Sequence, residues 1–131
     1  TKDLNLMFLA TGTGLAPIKA ILESMVLRGV DKLPRSVTVI WGGRSKKDLY
    51  MDLSSIAVNH LFVPVLSRAG AEWTGARGYV QQVLLSMNPD LGNTAVYACG
   101  SDAMIRSAKS SLIGAGLPAN RFYSDAFVCS A

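Results

Sequence analysis

Four apolar runs, each followed by a segment of helical periodicity, constrain this chain more than any other feature. They are residues 5–10 (NLMFLA), 36–41 (SVTVIW), 61–66 (LFVPVL) and 94–99 (TAVYAC). Apolar residues run through them with little alternation, so both faces of each strand need cover, as in a parallel sheet between helical layers. Residues 16–29 carry a helical stripe, Ile18, Ile21, Leu22, Met25 and Val26, that stops at Gly29. Weaker helical patterning spans 46–59, and further helices are predicted over 79–88 and over 101–116, the last opened by Ser101-Asp102. A polar loop fills 67–78, and 121–127 alternates like a closing strand. Pro64, inside the third run, removes a ladder donor and fits an edge strand. This order predicts an α/β fold: one doubly wound parallel sheet of five strands with right-handed crossovers and helices on both faces.

The 131 residues fit one domain with one substantial core, and 50% hydrophobic against 17% charged residues is a globular balance. The net charge of +4 comes from 13 scattered Lys and Arg, without the basic face or aromatic motif of a nucleic-acid binder. No apolar run is long enough to span a bilayer, and the amino-terminal TKDLNLMFLA lacks the layout of a signal peptide. A cytoplasmic location is therefore expected. Cys99 and Cys129 are too few for a disulfide framework or a zinc site, and His60 has neither metal-ligand partners nor a serine elbow. Metal and triad chemistry are not expected.

In doubly wound sheets ligands bind beyond the carboxyl ends of the strands, near the point where strand order reverses. After the first run stands Thr11-Gly12-Thr13-Gly14, and after the second Gly42-Gly43-Arg44. After the third stands Ser67-Arg68, and after the fourth Cys99-Gly100-Ser101-Asp102. Gly12 and Gly14 allow close approach of a ligand to backbone, and Pro17 sits in the first helical turn, where its missing N–H costs nothing. Free amides and the helix dipole at that turn suit a phosphate. The same residues also read as a plain tight turn. Thr11-x-Thr13-Gly14 further resembles the start of a flavodoxin-type FMN-phosphate loop. An acidic residue closing the second strand, which an ordinary dinucleotide fold uses for the ribose, is replaced by Gly42-Gly43-Arg44.

Five segments in order, GTGLAP (12–17), GGRSKKDLY (42–50), WTGARGYVQ (73–81), VYACGSDAMI (96–105) and FYSDAF (122–127), carry a resemblance across nearly the whole chain. The chain is similar to the C-terminal pyridine-nucleotide-binding domain of the ferredoxin–NADP reductase superfamily. The likeness is closest to flavin and iron–sulfur reductase components of deoxysugar biosynthesis and aromatic-ring oxygenases. The resemblance implies that Thr11, Gly12, Thr13, Gly14 and Pro17 form the turn for the dinucleotide pyrophosphate. It implies a nucleotide contact for Arg44 and a 2′-phosphate contact for Ser67 and Arg68, with Tyr79 packing near the adenine. Gly43 and Asp102 join the coenzyme-binding set from the turns after the second and fourth runs. Cys99 and Gly100 are implied beside the nicotinamide ring, Asp125 near the reacting centre, and Phe127 as the aromatic that covers the flavin, although four residues follow it.

An arginine fork suits a phosphate dianion, and a small polarizable side chain at Cys99 allows close approach of a ring without acting as a nucleophile. On sequence alone each residue also has a structural reading: Arg68 as a solvated charge, Cys99 as a buried small residue, Tyr79 and Phe127 as packing. Trp41 and Trp73 are assigned to packing and Cys129 to a free thiol. The resemblance implies hydride delivery from NADPH, favoured over NADH through Arg68, to FAD on a β-barrel domain. Electrons then pass to an iron–sulfur domain or an acceptor protein. The barrel is absent from these residues, so a piece of a longer reductase is expected, binding coenzyme without turnover by itself. A flavodoxin-like FMN carrier and a non-catalytic nucleotide sensor remain as alternatives.

Overall fold

The computed structural model describes residues 4–11, 15–28, 36–43, 61–67, 73 and 75–126. The strands β1 (Asn5–Thr11), β2 (Ser36–Gly43), β3 (Leu61–Leu66), β4 (Ala76–Arg77), β5 (Thr94–Gly100) and β6 (Phe122–Ala126) form one sheet in the order β4-β3-β2-β1-β5-β6. Every pairing is parallel. The helices are α1 (Leu15–Arg28), α2 (Val80–Ser86) and α3 (Asp102–Gly114), with short 3-10 turns at Leu91–Asn93 and Ala119–Arg121. The predicted helix over 46–59, with His60 beyond it, lies outside the described residues, as does Cys129.

The sheet has six strands, not five. The addition is β4, inside the segment read as a polar loop, where Ala76 and Arg77 pair with Val65 and Leu66. Two residues carry no apolar run, so this strand has no hydrophobic signal of its own. Through Pro64, β3 is paired on one side only, with Trp41 opposite the proline. The edge reading of Pro64 therefore holds at the proline itself. The second correction concerns β2, which continues through Gly42 and Gly43 instead of ending before them. Gly42 pairs with Thr11 and Val65, and a Cβ on it would lie 2.7 Å from Val80 Cγ1. Absence of that side chain lets the start of α2 cross the end of β2.

Period-two alternation sorts the core into two layers. Phe8, Ala10, Val37, Val39, Trp41 and Cys99 face Ile18 and Leu22 of α1. Met7, Leu9, Ile40, Val65, Val96 and Ala98 face Val80 and Leu84 of α2 and Ile105, Ala108 and Leu112 of α3. The chain leaves β1 toward β2 but returns at β5 on the other side of β1, and right-handed crossovers in opposite directions put helices on opposite faces. Phe8–Tyr97 and Trp41–Phe62 add tilted ring pairs, with centroids 6.1 and 6.2 Å apart, to the α1 face.

The ends of α3 explain its bounds. Ser101 stands outside the helix with extended backbone, and its Oγ accepts from the Met104 N–H at 3.2 Å. At the other end Gly116 adopts φ +120°, Leu117 N–H donates to Leu112 O at 3.0 Å and Gly116 N–H to Ile113 O at 3.1 Å. That is the Schellman arrangement, and Leu117 closes it by packing into the same core as Leu112.

Candidate functional site

The direction reversal between β1 and β5 opens a crevice at their carboxyl ends, where a doubly wound sheet takes its ligand. Register brings the sequence-distant turns to this one edge. Thr11 pairs with Gly42, Gly43 with Leu66 and Leu66 with Arg77, while on the other side Ala10 pairs with Cys99 and Cys99 with Asp125. Two backbone bonds extend the ladder beyond the strands: Ser67 N–H to Gly43 O and Gly78 N–H to Leu66 O, both 3.0 Å. Thr11, Gly43, Ser67, Tyr79, Gly100 and Asp125 thus line one rim.

The closest approach is at the reversal itself. A Cβ on Gly100 would lie 2.2 Å from Thr11 Oγ1 and 3.2 Å from Thr11 N, and Gly100 has φ +156°. Both conditions demand glycine. The missing side chain makes room for Thr11, so its hydroxyl and the Gly100 backbone stand side by side at the ends of β1 and β5. Pro17 sits in the first turn of α1, half-buried, as its position predicts.

Cys99 turns away from the rim. Its side chain has no exposed surface and packs on the α1 face among Phe8, Ala10 and Trp41. Asp125 is placed by its backbone, opposite Cys99. Asp102 opens α3, where its charge complements the helix dipole. Its carboxylate accepts from Arg106 Nε at 3.2 Å in an exposed pair one helical turn apart, a contact worth less than about 1 kcal/mol. Gly12, Thr13, Gly14, Arg44, Arg68 and Phe127 lie outside the described residues.

Tyr79 occupies the N-cap position of α2 with its side chain 61% exposed. Its backbone N–H donates to Gln82 Oε1 at 3.2 Å. An aromatic ring held at the backbone and left open at its face is a platform for another flat group.

Two hydrogen bonds of Trp73, to residues three and four positions on, hold the approach to this tyrosine. Trp73 Nε1 donates to Ala76 O at 2.9 Å, and the Arg77 guanidinium donates to the Trp73 carbonyl. The indole lies over Gly75, where a Cβ would come 2.5 Å from Cζ2. Trp73 was assigned to packing, and its hydrogen bond gives it a further role. The available signal was its spacing: an indole two residues before a glycine and four before an arginine.

Among the described residues no helix is long and apolar enough to cross a membrane.

The family model for the oxidoreductase NAD-binding domain matches residues 8–110. The chain is 42% identical over 132 aligned positions to the CDP-6-deoxy-L-threo-D-glycero-4-hexulose-3-dehydrase reductase of Yersinia pestis, covering 98% of this chain and 39% of that protein. It is 30% identical over 128 positions to reductase component 2 of the terephthalate 1,2-dioxygenase of Comamonas sp, covering 93% of this chain and 37% of that one. In fold it matches the solved ferredoxin reductase of carbazole 1,9a-dioxygenase with a TM-score of 0.79 at 23% identity, over 95% of this chain and 38% of the other. The chain thus spans about two-fifths of the length of these relatives. It belongs to the oxidoreductase NAD-binding domain family, with the fold of ferredoxin reductases.

Proposed function

We propose that this domain holds NAD(P)H across the carboxyl edge of its sheet and presents the nicotinamide for hydride transfer to a flavin on an adjoining domain. The observation that carries the reading is the Thr11–Gly100 approach at the β1–β5 reversal, where glycine lets the Thr11 hydroxyl stand against the end of β5 at the carboxyl edge of the sheet. The nicotinamide end lies there, beside Gly100, with Asp125 on the neighbouring strand. Cys99 supports this end from beneath through its small buried side chain. The pyrophosphate belongs to the turn of Thr11, Gly12, Thr13 and Gly14 before α1, with Arg44 and Gly43 alongside. Adenine stacks on Tyr79, and Ser67 with Arg68 takes a ribose 2′-phosphate, which favours NADPH over NADH.

A bound flavin would supply the hydride acceptor; the domain contributes orientation and electrostatics. Phe127 covers the flavin until coenzyme arrives, and Asp102 borders the nicotinamide end. Likeness to reductase components supports an FAD-binding domain and an iron–sulfur or protein electron acceptor as partners. Titrating NADPH and NADH into wild type and Arg68→Ala tests the coenzyme assignment. The variant should lose its preference for NADPH while keeping its affinity for NADH. An unchanged preference removes Arg68 from the site, and failure of wild type to bind either coenzyme removes the reading.

A further inference from the structure

The segment leading into Tyr79 is closed on itself in a way that the sheet does not require. Trp73 donates from its indole to the carbonyl of Ala76, three residues on, and receives at its own carbonyl the guanidinium of Arg77, four residues on. The two bonds run in opposite senses across the same short turn. Gly75 lies between them beneath the indole, where any side chain would overlap the ring, since a Cβ would stand 2.5 and 2.8 Å from two of its atoms.

The clasp is joined to the sheet on one side and to Tyr79 on the other. Ala76 and Arg77 pair with Val65 and Leu66, and Gly78 N–H donates to Leu66 O. Gly78 then takes φ +106°, a conformation glycine enters without strain and also leaves without strain. It is a natural pivot immediately before Tyr79. Beyond the pivot Tyr79 is 61% exposed, and its backbone N–H is held by Gln82 on the helix side. The direction of the chain entering the pivot is fixed by the clasp.

We infer that the Trp73–Gly75–Arg77 clasp is a positioning device for the adenine-binding tyrosine, so that Trp73 and Gly75 set coenzyme affinity without touching the coenzyme. The inference rests on the placement of adenine at Tyr79 proposed above. Arg77 serves it by bonding Trp73, not by reading a phosphate, and loosening the clasp weakens NADPH and NADH alike.

The test uses the full-length protein carrying this sequence, with AMP and nicotinamide mononucleotide as probes of the two coenzyme halves. Trp73→Phe keeps an aromatic ring and deletes the indole donor; Gly75→Ala pushes the ring off the turn. Each should weaken AMP binding about five- to tenfold, the scale of one aromatic–base stack. Nicotinamide mononucleotide binding and kcat should stay within twofold, and KM for both coenzymes should rise together. The decisive arm is the cycle with Tyr79→Ala: once the ring is gone, Trp73→Phe should add no further loss. Additive losses, equal weakening of the nicotinamide half, or unchanged AMP binding in Gly75→Ala would overturn the clasp. A loss confined to NADPH in Arg77→Lys would also overturn it, by making Arg77 a phosphate ligand. Wild type that does not bind AMP, or a Tyr79→Ala variant that binds it as well as wild type, defeats the adenine placement instead, and the clasp with it.

Discussion

Replacing Gly100 by alanine places a methyl group where β1 and β5 come closest. The added carbon would stand 2.2 Å from Thr11 Oγ1 and 3.2 Å from both Thr11 N and Met104 Cε. Clearing the hydroxyl needs a change of χ1 that itself costs free energy, and Thr11 N, part of the central strand of the sheet, cannot move aside. Overpacking of this kind costs about 1–3 kcal/mol. The φ of +156° adds backbone strain of about 1–2 kcal/mol. A combined loss of about 2–5 kcal/mol would remove much of the stability of a domain this size. In urea, with a slope near 2 kcal/mol per molar, the midpoint should fall by roughly 1–2.5 M. Trp41, fully buried between β2 and α1, gives a fluorescence signal for the transition. Thr11→Ala removes the nearest clashing atom, so the double variant should recover about 1–2 kcal/mol relative to additivity. Additive losses, or a Gly100→Ala protein as stable as wild type, would refute the close approach and with it the geometry of the proposed nicotinamide end.

Further expectations follow from residues at both ends of the rim. Tyr79→Ala removes an exposed ring that caps no core, so unfolding free energy should change by less than about 0.5 kcal/mol while coenzyme affinity drops about tenfold, measured by denaturation and titration on the same protein. Cys99, with no exposed surface, should resist alkylation by iodoacetamide in the native protein and react on unfolding, read by mass spectrometry; rapid native labelling would contradict its burial. Ser101→Ala deletes the cap that holds the Met104 N–H and should destabilise by about 1 kcal/mol, with amide exchange rising first in the opening turn of α3.

Much of this arrangement is legible in the residues, and the parts that are not share a physical reason. Runs apolar on both faces announced β1, β2, β3 and β5, because a strand buried on two sides needs little alternation. Ser101 and Gly116 marked the limits of α3 through side-chain and backbone chemistry that acts within a few residues. Pro64 marked a position of β3 where, among the described residues, only the β2 side is paired. By contrast, β4 is held by pairing with Val65 and Leu66, residues ten and more positions away, and nothing in Ala76-Arg77 signals a strand. Gly42 and Gly43 read as a strand terminator because glycine usually weakens strands; here Gly42 makes room for Val80, a contact visible only after folding. The same holds at the site. Strand ends named Thr11, Ser67 and Gly100, but the approach of Thr11 to Gly100 depends on β1 and β5 being neighbours although 82 residues separate them in sequence. From sequence Cys99 was open to a nicotinamide contact and to a buried small residue; the alternation that puts Ala98 on one face buries Cys99 in the core on the α1 side. The glycine turn after β1, open from sequence to phosphate, FMN and plain-turn readings, lies within the residues 8–110 that match the oxidoreductase NAD-binding domain.

Backbone amide mapping by NMR during coenzyme titration addresses the central claim most directly. With NADP⁺ added, shifts should concentrate at Thr11, Gly43, Ser67, Tyr79, Gly100 and Asp102, all on the carboxyl rim, and spare Asn5, Ser36, Leu61 and Thr94 at the opposite ends of the same strands. Shifts centred on those opposite ends, or on the outer surface of α3, would contradict the placement of the coenzyme across the β1–β5 reversal.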